Sequence, residues 1–274
     1  MLRQQTRALM LPCRRHSIST GKTTAEMLAH VRQVRDMRSR SMSIIAEERV
    51  SDSPYVETIT RGRTASDGSS LRPAEICWHM VLRRLNGNID LLVVGPWTSA
   101  GVISYTEGAE LLWIKFKLGT FLPHLPTRHL LDRETILPGA ARKSFWLNGS
   151  AWQFPDYENA DTFVDRLVRN DVLACDPVVN AVLQDHLEDM PSRTVRHRFR
   201  HATGLTQSHI RQMKRAQHAQ ALLQQGVSIL DTVDEAGYFD QPHLTRSLKQ
   251  FLGYTPAQII RLYQPCHFIQ DSLL

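Results

Sequence analysis

Residues 228–251 read SILDTVDEAGYFDQPHLTRSLKQF, and this stretch decides the fold of the C-terminal third of the chain. Ser228 caps a helix with Asp231 three residues on, and Leu230, Val233 and Ala236 fall on its inward side. Gly237 makes the turn, because glycine takes the left-handed backbone of a helix end without steric cost. Asp240 caps the next helix, and Pro242 lies in its first turn, where the missing N–H costs little. Leu244, Leu248 and Phe251 form a buried stripe; His243, Arg246, Lys249 and Gln250 lie opposite, with Gln241 at the exposed N-terminal end. Such a helix, turn and helix fits a major groove: Arg suits guanine O6 and N7, Gln suits adenine, and His or Lys suits bases or phosphates.

A similar unit precedes it. Asp176-Pro177 is an N-cap followed by proline at the first helical position, and Val178, Val182 and Leu183 give a short apolar helix. Met190-Pro191-Ser192 interrupts the helix, and Ser192 is placed to cap the next one, Arg193 to Ala202. On a helical wheel Val195, Phe199 and Ala202 fall on one side, and Arg193, Arg196, His197 and Arg200 on the other. Between the units, Thr206 to Gln225 is a continuous helical segment ended by Gly226, spanning about 30 Å at about 1.5 Å per residue. That is close to the roughly 34 Å between successive major grooves on one face of DNA.

Charge supports this reading locally rather than globally. The net charge of +6 resides in residues 1–50, which carry 10 Lys+Arg against 4 Asp+Glu, whereas residues 51–170 and 171–274 are each balanced. Within the balanced C-terminal third, Pro191 to Arg215 holds Arg193, Arg196, Arg198, Arg200, Arg211, Lys214 and Arg215, with His197, His201 and His209, and no acid.

The segments PSRTVRHRFRHATGLTQSHIRQMKRAQHAQALL (191–223) and EAGYFDQPHLTRSLKQFLGYTPAQI (235–259) closely resemble the tandem helix-turn-helix domain of AraC/XylS-type bacterial transcription regulators. The resemblance covers about Asp176 to Tyr263, with its most specific residues at Gly237-Tyr238, Leu244-Thr245-Arg246 and Gly253-Tyr254-Thr255-Pro256. It implies base contacts from Arg193, Arg196 and His197 in one groove and Gln241, His243 and Arg246 in the other. Thr194, Arg200, Thr245 and Lys249 would hold phosphates, which position a protein without specifying sequence. Two positions depart from the family pattern: Leu187-Glu188-Asp189 stands where a small turn residue is usual, and Ile259 where an aromatic is common.

Upstream, Tyr55 to Asn148 has the period-two pattern of strands. Asn86-Gly87-Asn88 joins Cys77–Leu85 to Ile89–Val94 as a hairpin, and Thr106, Glu107 and Gly108 join Val102–Tyr105 to Glu110–Leu118 as a second pair. In the latter, Ile114, Phe116 and Leu118 face inward and Lys115 and Lys117 face water. The expected fold is a two-domain α and β protein, a small β-barrel followed by an all-α domain of two helix-turn-helix units joined by a long helix. Gly108 to Gly119 (GAELLWIKFKLG) and Leu131-Asp132 resemble the cupin-like sensor domain of such regulators, which implies effector binding or dimerisation. The boundaries are a basic, disordered tail at 1–50, the barrel at 51–157, a linker helix at 158–175 with Phe163, Val164, Leu167 and Val168 on one side, and the DNA-binding domain at 176–274.

Several classes are set aside. Cys13, Cys77, Cys175 and Cys266 are dispersed, without a C-x-x-C pair, which argues against a zinc ribbon, a dithiol redox site or a repair regulator with a metal-bound alkyl-accepting cysteine. His79, His124 and His129 form neither an H-x-H pair nor an H-E-x-x-H helix, so neither a metal nor another cofactor is expected, and no enzyme motif is present. The alternative from the enzyme class is a cupin-type enzyme or repair protein fused to a DNA-binding domain. No apolar run reaches the roughly 18 residues of a membrane span. Met1 to Ala25 lacks acids and resembles an organellar transit peptide; a disordered extension, or a start at Met37 or Met42, is the preferred reading. The expected protein is bacterial, cytoplasmic and nucleoid-associated. Its partners are double-stranded promoter DNA, with RNA polymerase, a small effector and a second copy of the chain as further candidates.

Overall fold

The computed structural model describes residues 44–184 and 190–263. Strands fill the first half: β1 (Ile44–Val50), β2 (Val56–Thr64), β3 (Gly68–Arg72), β4 (His79–Leu85), β5 (Asn88–Val94), β6 (Gly101–Tyr105), β7 (Glu110–Phe116), β8 (Thr120–Phe121), β9 (Glu134–Ile136), β10 (Gly139–Ala141), β11 (Ser144–Leu147) and β12 (Ser150–Gln153). Helix α1 (Ala160–Arg169) and β13 (Ala174–Cys175) follow. The chain then becomes helical: α2 (Pro177–Leu183), α3 (Ser192–Thr203), α4 (Gln207–Gln224), α5 (Ile229–Glu235), α6 (Gln241–Leu252) and α7 (Pro256–Tyr263).

The hairpin at Asn86-Gly87 forms with φ of 51° and 79°, the left-handed pair that a two-residue turn between twisted strands requires. It sets β4 against β5 inside an antiparallel six-stranded sheet of order β1-β2-β7-β4-β5-β9. Met80, Leu82, Leu91, Val93, Leu112, Ile114 and Phe116 project from one face of this sheet into the core. Opposite them lie Phe145, Leu147 and Trp152 from the meander β10-β11-β12, and Phe163, Val164 and Leu167 from α1. The expected closed barrel is not what forms among the described residues: β1 and β9 remain unpaired with each other as the two edges of the sheet, and the meander and α1 supply the second layer. The interior is filled by aromatic packing, including Trp78 stacked on Phe116 with centroids 3.9 Å apart.

Three strand assignments change. β6 pairs with β3 rather than with β7, and β7 lies between β2 and β4. Lys115 does not face water: its ammonium sits 3.3 Å from Glu57 and 3.6 Å from Glu75. Residues 44–50, read as part of the basic tail, form β1, in register with β2 from Ile44 opposite Thr64 to Val50 opposite Thr58. The rest of that tail, Cys13, Cys266 and the Leu187-Glu188-Asp189 turn lie outside the described residues.

The segment read as a linker helix buries Ala160, Phe163, Val164 and Leu167 in the β core and belongs to it. In the helical part, α2, α3 and the start of α4 enclose Val178, Val179, Val182, Val195, Phe199, Ala202, Leu205 and Ile210. The rest of α4, with α5, α6 and α7, encloses a second cluster around Met213, Leu223, Val233, Leu244, Leu248, Phe251 and Ile259. Ile259 thus fills, as an aliphatic residue, the place where the family pattern favours an aromatic. Leu230, expected to point inward, is 68% exposed; Thr232 and Val233 carry the buried side of the short α5.

The two halves share hydrogen bonds. β13 pairs with β8 just before Asp176 caps α2. Thr127 donates its hydroxyl to the carbonyl of Ala202 near the end of α3 (3.2 Å). The N–H of Ala74 donates to the carbonyl of Phe251, and that of Ala100 to the carbonyl of Gln250, both at 2.7 Å. Gly204, which ends α3 with φ 73°, is required there twice over, since a Cβ would also stand 3.1 Å from the Thr127 carbonyl oxygen.

Candidate nucleic-acid interface

α3 is helical from Ser192, one residue earlier than its sequence suggests, with Pro191 at the N-cap position. Ser192 therefore makes no cap, whereas Thr206 opens α4 by accepting from the N–H of His209 (3.2 Å). Val195, Phe199 and Ala202 are buried, and this seats the helix so that Arg193, Thr194, Arg196, His197 and Arg200 are exposed. Arg193 and Arg200 have no ion-pair partner among the described residues, and Arg196 reaches back to the carbonyl of Ser192 (3.4 Å). His197 and His201 stack with centroids 6.3 Å apart. Arg198 is different. It grips Asp176 through two hydrogen bonds of 2.7 and 3.0 Å while the same carboxylate caps α2 at Val178 N–H, so it ties the two helices of the first unit together.

α6 is capped by Asp240, whose carboxylate accepts from the N–H of His243 at 2.6 Å. Leu244, Ser247, Leu248 and Phe251 are buried, and Gln241, Arg246, Lys249 and Gln250 are exposed. Thr245 and His243 are half-buried, the imidazole lying edge-on to Tyr238 with centroids 5.1 Å apart. Tyr238 anchors the helix: its hydroxyl meets Ser247 at 2.9 Å and the Arg215 guanidinium lies 4.5 Å from the ring centroid. Arg215 also donates to the carbonyl of Gly237 (3.2 Å). Two members of the basic cluster, Arg198 and Arg215, therefore hold the fold, whereas Arg193, Arg196, Arg200, Arg246 and Lys249 are exposed.

One exposed side chain escaped the sequence reading. Phe239 is 90% exposed, between buried Tyr238 and the cap Asp240. Its position between two helices gives it no helical phase, so periodicity carried no signal for it. It stands two residues from Gln241, at the leading end of α6.

No group of three His, Cys, Asp or Glu residues gathers in a metal-binding arrangement among the described residues. Burial lowers the pKa of His124 and raises that of Cys77 well above the usual thiol range. No helix among the described residues is long and apolar enough to cross a membrane.

Residues 188–261 match the family model of the helix-turn-helix domain. No curated protein matches the chain. Among solved structures, ToxT from Vibrio cholerae aligns with 9% identity and a TM-score of 0.33, covering 81% of this chain and 100% of that one.

Proposed function

We propose that this protein, a DNA-binding regulator with an AraC-type helix-turn-helix domain, reads two adjacent major grooves with α3 and α6. The observation that carries the reading is the pairing, in one chain, of two buried-stripe helices whose opposite faces present exposed cations without an ion-pair partner among the described residues, joined by α4. At 18 residues that helix spans about 27 Å by the usual rise of about 1.5 Å per residue, which suits neighbouring grooves. In this reading Arg193, Arg196 and His197 contact bases in one groove and Gln241, His243 and Arg246 in the other, His243 through the imidazole edge turned away from Tyr238. Thr194, Arg200, Thr245 and Lys249 hold phosphates and fix the register. Phe239 adds an apolar surface suited to a thymine methyl group or a sugar.

Regulation by a signal at the β domain fits the same geometry. Ala74 and Ala100 bond to the last turn of α6, and Thr127 to the last turn of α3. A ligand that shifted the β domain would act on both recognition helices together. Hydroxyl-radical footprinting of the full chain on a bound genomic fragment tests the reading. Two protected segments on one face of the duplex, about 10 base pairs apart centre to centre, support it, and a single protected segment would overturn it.

A further inference from the structure

The inner-face alternation that builds the β core runs on past the core at one end of the sheet. Ile89, Arg84 and Glu110 lie side by side across β5, β4 and β7, with the parity of the buried Leu91, Leu82 and Leu112. They therefore face the second layer, at its open rim. Opposite them stand Arg142 and Lys143 in the turn between β10 and β11, together with Gln153 and Phe154. The space between is a cleft of about 900 Å³, within the usual range for small-ligand sites of roughly 300–1,000 Å³.

Its floor is apolar, and its rim carries Arg84, Arg142 and Lys143 beside Glu110 and Asp156. Half-buried Ile89 and Phe154 pack against the core, Phe154 stacked 5.5 Å from buried Phe145. Arg84, Arg142 and Lys143 are exposed, and among the described residues no carboxylate lies in ion-pair distance of any of them. Glu110 faces Arg84 across the strands without closing a salt bridge. Asp156 also lines the cleft; its Oδ1 accepts from the N–H groups of Glu158 and Asn159 at 3.1 and 2.8 Å. Arg84, Arg142 and Lys143 thus outnumber Glu110 and Asp156 in the lining of a concave surface with an apolar floor, where a bound carboxylate offsets the excess positive charge and accepts charge-assisted hydrogen bonds.

We propose that this cleft binds a small organic carboxylate, its anionic end held by Arg84, Arg142 and Lys143 and its apolar body laid on Ile89 and Phe154. Asn86, Asn88 and Gln153 supply hydrogen bonds for polar substituents. This binding does not rest on the DNA-binding reading.

The test is isothermal titration of the full chain with phenylacetate, hexanoate and citrate, with uncharged phenylacetamide and inorganic phosphate as controls. At least one carboxylate is expected to saturate one site per chain, about tenfold or more tighter than phenylacetamide and phosphate, as a charge-assisted hydrogen bond implies. Arg84→Gln and Arg142→Gln should each weaken that binding about tenfold without changing the melting temperature. Phe154→Ser should weaken phenylacetate and hexanoate more than citrate. Absence of saturable binding by all three acids, or binding unchanged in both Arg variants, would overturn the proposal. Loss of DNA selectivity with carboxylate binding intact would overturn the regulator reading and leave this site standing.

Discussion

Arg246 and Lys249 lie three residues apart on the exposed side of α6, yet the account gives them different tasks. A planar guanidinium can meet guanine through two hydrogen bonds, whereas an ammonium on a flexible stem suits a phosphate. Arg246→Ala should therefore cost roughly 1 to 3 kcal/mol on the best site and relax preference in one half of it, and Lys249→Ala should weaken all sequences alike and lower the salt slope by about 1. Anisotropy titrations on matched and mismatched duplexes at several salt concentrations separate the two. Arg198 is predicted to behave unlike its neighbours. Asp176→Ala removes a helix cap as well as the partner of Arg198, and should destabilise the protein by about 1 to 2 kcal/mol in chemical denaturation. Arg198→Ala should leave the base preference of the folded protein unchanged. Cys77 carries a pH signature: burial raises its folded-state pKa above the ordinary 9.0, so the unfolded chain loses this proton first as pH rises. Its contribution to stability is complete below about pH 9 and declines above it by up to about 1.4 kcal/mol per pH unit. Tyr157, raised chiefly by burial, acts in the same direction at higher pH. Lys115 is opposed by burial but held up by Glu75, Cys77 and Glu57, and loses its contribution as pH rises through its folded-state pKa. Denaturation curves for Cys77→Ala should show a flatter decline above pH 9 than the parent.

At the scale of elements, what was legible in the sequence was local. Asn86-Gly87 specifies its own turn, Asp240 and Ser228 their own caps, and the stripes Val195, Phe199, Ala202 and Leu244, Leu248, Phe251 their own buried faces. Each depends on residues within one or two turns. The strand errors came from information of longer range. β6 follows β4 and β5 and precedes β7 in the chain, so neighbouring strands suggested a hairpin, but β6 pairs with β3, some thirty residues back. Whether a sheet closes is likewise decided by the second layer, here the meander and α1, and not by the alternation within any one strand. Leu230 failed because a helix as short as α5 has only two turns, too few for its phase to be set by sequence spacing. In the candidate interface, the exposed residues of α3 were legible from the wheel. The diversion of Arg198 and Arg215 into structural contacts was not, because their partners lie 22 residues away in each case.

Across the whole molecule, the β domain touches the C-terminal ends of both α3 and α6, where helix carbonyls lack partners of their own. Ala100→Pro deletes the N–H that bonds to Gln250 and should release the last turn of α6. Hydrogen exchange at residues 251–254 is the readout, with faster exchange expected there than in the parent protein and none of that change at α3. Thr127→Val deletes the bond to Ala202 at nearly constant shape and should cost about 1 kcal/mol, with the change confined to the end of α3. A chain that reads two grooves with two separate helices has a binding site in two parts, each answering to one helix. The most direct measurement is selection of genomic fragments by the full chain, beside Arg196→Ala and Arg246→Ala, at physiological salt. The account predicts a shared motif of two blocks about one helical turn apart, with Arg196→Ala degrading one block and Arg246→Ala the other; unrelated fragments, or both variants degrading the same block, would contradict it.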